Sequence, residues 1–152
     1  MFQGYWERPD ETEKVLRGGW LLTGDLGTKD AEGFLYLRGR KRDVIRSGGL
    51  NVYPAEVERV LRSYDKLSAV SVVGVRNKQW GEKVVACAVA KGDCTEEEVI
   101  AFCRRHLAPY KCPKSVQFFD RLPMTGTEKV LKRELIEWVM ERESKQAVEP
   151  RK

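Results

Sequence analysis

Three short stretches of the chain combine residue types that can do chemistry. In Gly19-Trp20-Leu21-Leu22-Thr23-Gly24-Asp25-Leu26 one carboxylate stands among glycines. A carboxylate accepts two hydrogen bonds at once, although between glycines Asp25 would equally cap a turn. In the second stretch the basic run Arg38-Gly39-Arg40-Lys41-Arg42 leads to Ser47-Gly48-Gly49. Paired glycines permit a tight turn and the close approach of a substrate chain, or simply a hairpin. The third stretch runs from Leu122-Pro123 through Thr125-Gly126-Thr127-Glu128 to Lys129 and on to Lys132-Arg133. An ammonium group held at a reacting centre stabilises negative charge as it develops, whereas a lone surface lysine is merely solvated.

Weaker candidates surround these. Trp80, in Gln79-Trp80-Gly81, and Tyr110, in Pro109-Tyr110-Lys111, fall in loops rather than on apolar faces. Taken by themselves, such aromatics merely cover a sheet edge. His106, the only histidine, closes a helical pattern where a partial positive charge suits the dipole, and no catalytic role is assigned to it. The four cysteines lack CxxC spacing, which argues against zinc. Cys87 and Cys103 read as small core residues of a reduced, cytoplasmic protein.

Composition sets the frame. The 152 residues are 41% hydrophobic and 34% charged, the balance of a globular domain rather than a disordered tail. The net charge of +5 is either a solvated surface or a field that draws a polyanion such as ATP or CoA. Scattered basic residues without a recognition helix or RNA platform argue against nucleic acid. No apolar run reaches the length of a transmembrane segment, and the N-terminus has no secretory signal pattern.

The elements that must position the candidates follow from periodicity. Residues up to about 40 read as irregular, ending in a β-hairpin turned by Asp30-Ala31-Glu32-Gly33. Asp43–Arg46 and Leu50–Val52 then form a two-stranded ribbon around Ser47-Gly48-Gly49. Pro54 opens a helix bearing Val57, Val60, Leu61 and Tyr64 on one stripe, with Glu56 and Glu58 at its positive end. Ala69–Val75 and Val84–Val89 are β-branched strands separated by the polar loop 76–81. Thr95 and Glu98 form a capping box for a helix that Pro109 ends. Val116–Phe119 is a third strand, and a last amphipathic helix spans 130–142. The fold class is α+β: a small central β-sheet flanked by helices and preceded by a two-stranded β-ribbon.

The three stretches together resemble the adenylate-forming superfamily of acyl-CoA synthetases, luciferases and peptide-synthetase adenylation domains. The resemblance covers Gly4 to about Val139. Gly19–Leu26 resembles the nucleotide-binding element of that family, and Gly39–Glu58 matches its long C-terminal signature along its length. Leu122–Leu135 resembles its Pro-x-Thr-x-x-Gly-Lys-x-x-Arg loop. The resemblance implies nucleotide binding by Asp25, on the ribose hydroxyls, and by Arg40, on ribose or phosphate. It implies a hinge at Arg42, where Asp or Lys is the common residue. It places Lys129 as the catalytic lysine of adenylation, with Lys132 on the arginine position. Gly48 and Gly49 would flank the pantetheine arm of CoA, with Trp80 and Tyr110 stacking on its adenine and Lys111 or Lys114 adding charge near its phosphates. Glu128 departs from the family, which has glycine there, and its carboxylate would pair with Lys129 or face solvent.

The implied function is that of an ATP-dependent acyl-CoA synthetase of fatty-acyl or aryl type. Such an enzyme activates a carboxylic acid as acyl-AMP and transfers it to CoA, with ATP and Mg2+ held mainly by an N-terminal domain. Residues 1–40 are expected to trail from that domain, 41–43 to form the hinge, 44–143 the mobile lid, and 144–152 a frayed tail. No phosphate loop or acyl pocket occurs in the sequence, so the isolated chain is expected to be inactive. Two other uses of the same fold are an adenylation domain loading a carrier protein and a non-catalytic module binding CoA or a protein.

Overall fold

Alternation along two long strands determines the architecture. In the computed structural model, which describes residues 2–148, β7 (Leu67–Asn77) and β8 (Gly81–Ala90) form an antiparallel hairpin. Val70, Val72, Val84, Ala86 and Ala88 point to one face, and Val73, Val75, Val85 and Cys87 to the other. Both faces are apolar, so both are covered. Helices α2 (Pro54–Arg62) and α3 (Glu96–His106) supply Val57, Leu61, Val99 and Cys103 to the first face. Helix α4 (Lys132–Val148) supplies Leu135 and Val139 to the second, beside Phe119 and Leu122.

The remaining strands complete the sheet. β5 (Ile45–Ser47) and β6 (Leu50–Val52) form the expected ribbon. The ribbon does not merely precede the sheet. Ser47 pairs with Gly81, which makes it an extension of β8. β9 (Ser115–Phe118) runs parallel to β8 from Val85 to Ala88. Among the described residues β7 pairs only with β8 and is therefore an edge. The polar loop expected over 76–81 is shorter, because the strands continue to Asn77 and resume at Gly81. Asn77 closes that turn, its Oδ1 accepting from the backbone N–H groups of Gln79 and Trp80.

Backbone contacts divide the chain into Met1–Arg42 and Asp43–Lys152. The first unit is more regular than its sequence suggests. Pro9 starts a short helix, α1 (Pro9–Val15), and β1 (Leu16–Arg17) pairs with β2 (Trp20–Leu21) across Gly18-Gly19. β3 (Asp25–Lys29) and β4 (Leu35–Arg40) form the expected hairpin, whose turn is tied by Asp30 accepting from the Glu32 and Phe34 N–H groups. A 3₁₀ turn, Lys41–Asp43, spans the division. At the other end, α4 continues to Val148, so residues 144–148 of the expected frayed tail are helical. The rest of that tail lies outside the described residues.

Candidate functional site

Lys129 sits on a loop closed by its own backbone. Leu122 and Pro123 are buried and anchor the leading arm. Met124 bridges Val130, the Leu131 N–H donates to the Pro123 carbonyl at 2.8 Å, and the Thr125 N–H donates to the Lys129 carbonyl at 2.8 Å. The Thr125 hydroxyl oxygen accepts from the Lys129 N–H at 3.1 Å and the Thr127 N–H at 3.3 Å. These bonds fix the backbone while the Lys129 side chain stays exposed. Its ammonium has no ion-pair or hydrogen-bond partner among the described residues, Glu128 included. Glu128 instead reveals why glycine suits its position: its φ is +58°, in the left-handed region that side chains disfavour.

The glycine turn has its own geometry. Ser47 pairs with Leu50, so Gly48 and Gly49 are the two central turn residues, with φ of +58° and +80°. The Gly48 N–H donates to the Trp80 carbonyl at 2.8 Å. A Cβ on Gly48 would lie 3.3 Å from the Trp80 ring, whereas one on Gly49 would meet open space. Half-buried Trp80 therefore does back the turn, and the Lys114 ammonium lies 4.9 Å from its ring centroid. The structure thus assembles Gly48, Gly49, Trp80 and Lys114 at one place. Lys111 is committed elsewhere: it pairs with Glu56 at 2.7 Å, and that hydrogen bond raises its pKa above the ordinary lysine value. Tyr110, 38% exposed, stands on a separate 3₁₀ turn, Pro109–Lys111, beside β6.

In the first unit, Asp25 and Arg40 are opposite each other across β3 and β4. Arg40 Nε lies 3.0 Å from Asp25 Oδ1, and Arg40 also donates to the Thr23 carbonyl at 2.8 Å. The arginine thus holds one of the two carboxylate oxygens of Asp25. Arg42 lies in the 3₁₀ turn at the division between the units. His106 stacks on Phe102 and bonds its carbonyl, a helix-end role.

Sequence reasoning missed one group. Glu58, read as a helix-start acid, is 8% exposed and bonded to Lys132, the Val72 N–H and the Ser71 hydroxyl. The available signal was its place between Val57 and Leu61 on the buried stripe of α2.

Residues 56–129 match the family model of the AMP-binding enzyme C-terminal domain. The 2-succinylbenzoate–CoA ligase of Bacillus mycoides is 48% identical over 138 residues, which are 91% of this chain and 29% of that enzyme. The structure superposes on o-succinylbenzoate CoA synthetase (MenE) from Bacillus subtilis, solved with its acyl-adenylate intermediate OSB-AMP, with a TM-score of 0.84 and 41% identity. That match covers 88% of this chain and 28% of that one. ATP-bound MatB from Rhodopseudomonas palustris gives 0.80 and 35%, covering 91% and 28%. The chain belongs to the adenylate-forming, AMP-binding enzyme family and carries its C-terminal domain. It spans about three tenths of the length of the ligases it resembles.

Proposed function

We propose that this chain is the C-terminal part of an AMP-forming acid–thiol ligase, in which Lys129 serves the first half-reaction and the Gly48-Gly49 turn the second. In the first step a substrate carboxylate attacks the α-phosphorus of ATP, giving acyl-AMP and pyrophosphate. The Lys129 ammonium stabilises the charge gathering on the phosphate oxygens. Asp25 binds the ribose hydroxyls, oriented by Arg40, which also faces the nucleotide. In the second step the CoA thiol attacks the acyl carbon, forming the thioester and releasing AMP. Gly48 and Gly49 leave room for the pantetheine arm, while Trp80 and Lys114 receive the adenine and a phosphate, with Tyr110 a further stacking surface. Arg42, at the division between units, is the pivot that exchanges the two arrangements. ATP and CoA are therefore the co-substrates, bound with an N-terminal domain. Among the described residues no group of His, Cys, Asp or Glu side chains is arranged to hold a metal ion, so the Mg2+ accompanying ATP is assigned to no residue here.

The 2-succinylbenzoate–CoA ligases among the relatives favour an aryl acid of that type over the fatty-acid role also open from sequence. A cytoplasmic setting agrees with four free cysteines. No helix among the described residues is long and apolar enough to cross a membrane.

The observation that carries the proposal is an exposed ammonium, without an ion-pair partner among the described residues, on a backbone-locked loop. Its test replaces the matching 138 residues of a 2-succinylbenzoate–CoA ligase with this chain. Lys129→Ala should lower ATP–pyrophosphate exchange by roughly 10²–10³ while sparing thioester formation from supplied acyl-adenylate. Gly49→Leu should do the reverse. Undiminished exchange in Lys129→Ala would remove the catalytic assignment, and transfer to a carrier protein but not to CoA would redirect the second step.

A further inference from the structure

The cation three residues beyond Lys129 is placed against its own helix. Lys132 opens α4, where the dipole disfavours positive charge. Its side chain turns to the sheet instead, Nζ donating to Glu58 Oε1 at 2.8 Å and to the Val72 carbonyl at 3.1 Å. The same Glu58 oxygen accepts from the Val72 N–H at 2.9 Å and lies 3.4 Å from the Ser71 hydroxyl. Arg62 approaches the other oxygen at 3.5 Å. Val72 belongs to edge strand β7, so one ion pair takes up both of its outward backbone groups. Glu58 comes from α2 on one face and Lys132 from α4 on the other. The pair straddles the sheet edge and joins the two helical layers at a single point.

We propose that Lys132 is a positioning residue which, through Glu58 and the edge of β7, sets where Lys129 is presented. This rests on the catalytic reading of Lys129 given above. Lys132 ends the trailing arm of the loop, and Val130 and Leu131 are bonded across to Met124 and Pro123. A fixed Lys132 therefore fixes the register of the whole arm. Stability alone does not account for the arrangement, because a buried ion pair is commonly replaced by apolar side chains without loss. Its distinctive product is geometry, and a misplacement of about 1 Å at a reacting centre lowers rate on the order of 100-fold.

The test compares Lys132→Met, Lys132→Arg and the double variant Glu58→Leu/Lys132→Met. In the 152-residue chain, hydrogen exchange is followed at the Lys129 and Leu131 amides. In the ligase carrying this chain, pyrophosphate exchange is measured against ATP concentration. Lys132→Met should speed amide exchange on the order of tenfold. It should lower kcat roughly 10- to 100-fold with KM for ATP within about twofold. Lys132→Arg, which keeps the charge and has donors enough for both Glu58 and the Val72 carbonyl, should retain most of both. The double variant should recover the melting temperature but not kcat. The proposal is overturned if Lys132→Met leaves amide exchange or kcat unchanged, or if the double variant restores kcat together with stability. If Lys129→Ala itself leaves activity intact, the catalytic reading fails, and amide exchange alone decides whether Lys132 fixes the loop.

Discussion

At the residue scale, Glu128 shows how a departure from a family pattern becomes a physical quantity. Its φ of +58° is a strained choice for a side-chain-bearing residue, costing roughly 1–2 kcal/mol. Glycine would remove that strain at an entropic cost of about 0.5–1 kcal/mol in the unfolded chain. Glu128→Gly should therefore stabilise the protein by about 0.5–1 kcal/mol, raising the melting temperature by about 1–4 °C in calorimetry. Glu128→Ala keeps the strain and should give no such rise. A rise in Glu128→Ala equal to that in Glu128→Gly would trace the effect to the carboxylate instead. The sequence exposes the substitution itself, since a glutamate stands where glycine is expected, but not the backbone angle that gives it meaning. Glu58 and Lys132 mark the same limit. Each is visible as a charge near a helix start, yet their meeting spans 74 positions and depends on which edge of the sheet β7 occupies.

At the scale of elements, local signals survive and long-range pairing does not. The capping box of α3 was legible because it is written within four residues. The Glu98 N–H donates to the Thr95 hydroxyl and the Thr95 N–H to the Glu98 carboxylate. Lys66, from the turn before β7, adds a hydrogen bond at 2.7 Å that, with the Thr95 N–H, holds the Glu98 carboxyl below its ordinary value. Thr95→Ala should cost about 1 kcal/mol in denaturant unfolding. Glu98 adds a pH signature. A carboxyl depressed in the folded state stabilises above its unfolded pKa, and the benefit is lost as pH falls through the folded value. The melting-temperature gap between the parent chain and Glu98→Gln should therefore be full at neutral pH and close in acid below the usual carboxylate range. A gap that widened in acid would contradict this sign. By contrast, neither the parallel pairing of β9 with β8 nor the capture of the ribbon by Gly81 is encoded in any local window.

For the whole molecule, the distribution of the core makes a stronger statement than composition. The buried apolar side chains run from Ile45 onward, and they fill both faces of one sheet. Before the division at Arg42, Trp6 is 88% exposed, Trp20 77% and Leu37 72%. Apolar burial is the dominant favourable contribution to folding, so it resides in residues 43–152. The first 42 residues form two small antiparallel pairs and a short helix, too little to outweigh the entropy of ordering them. Residues 43–152 expressed alone should therefore unfold in one cooperative transition, with native-like dispersion of their amide resonances. Residues 1–42 alone should give no thermal transition. The opposite pattern, a second unit that melts without cooperativity unless residues 1–42 are attached, would mean that the first unit completes its core. A self-sufficient second unit is also what the proposed pivot at Arg42 requires, because a body that reorients during a catalytic cycle must keep its own packing while its surroundings change.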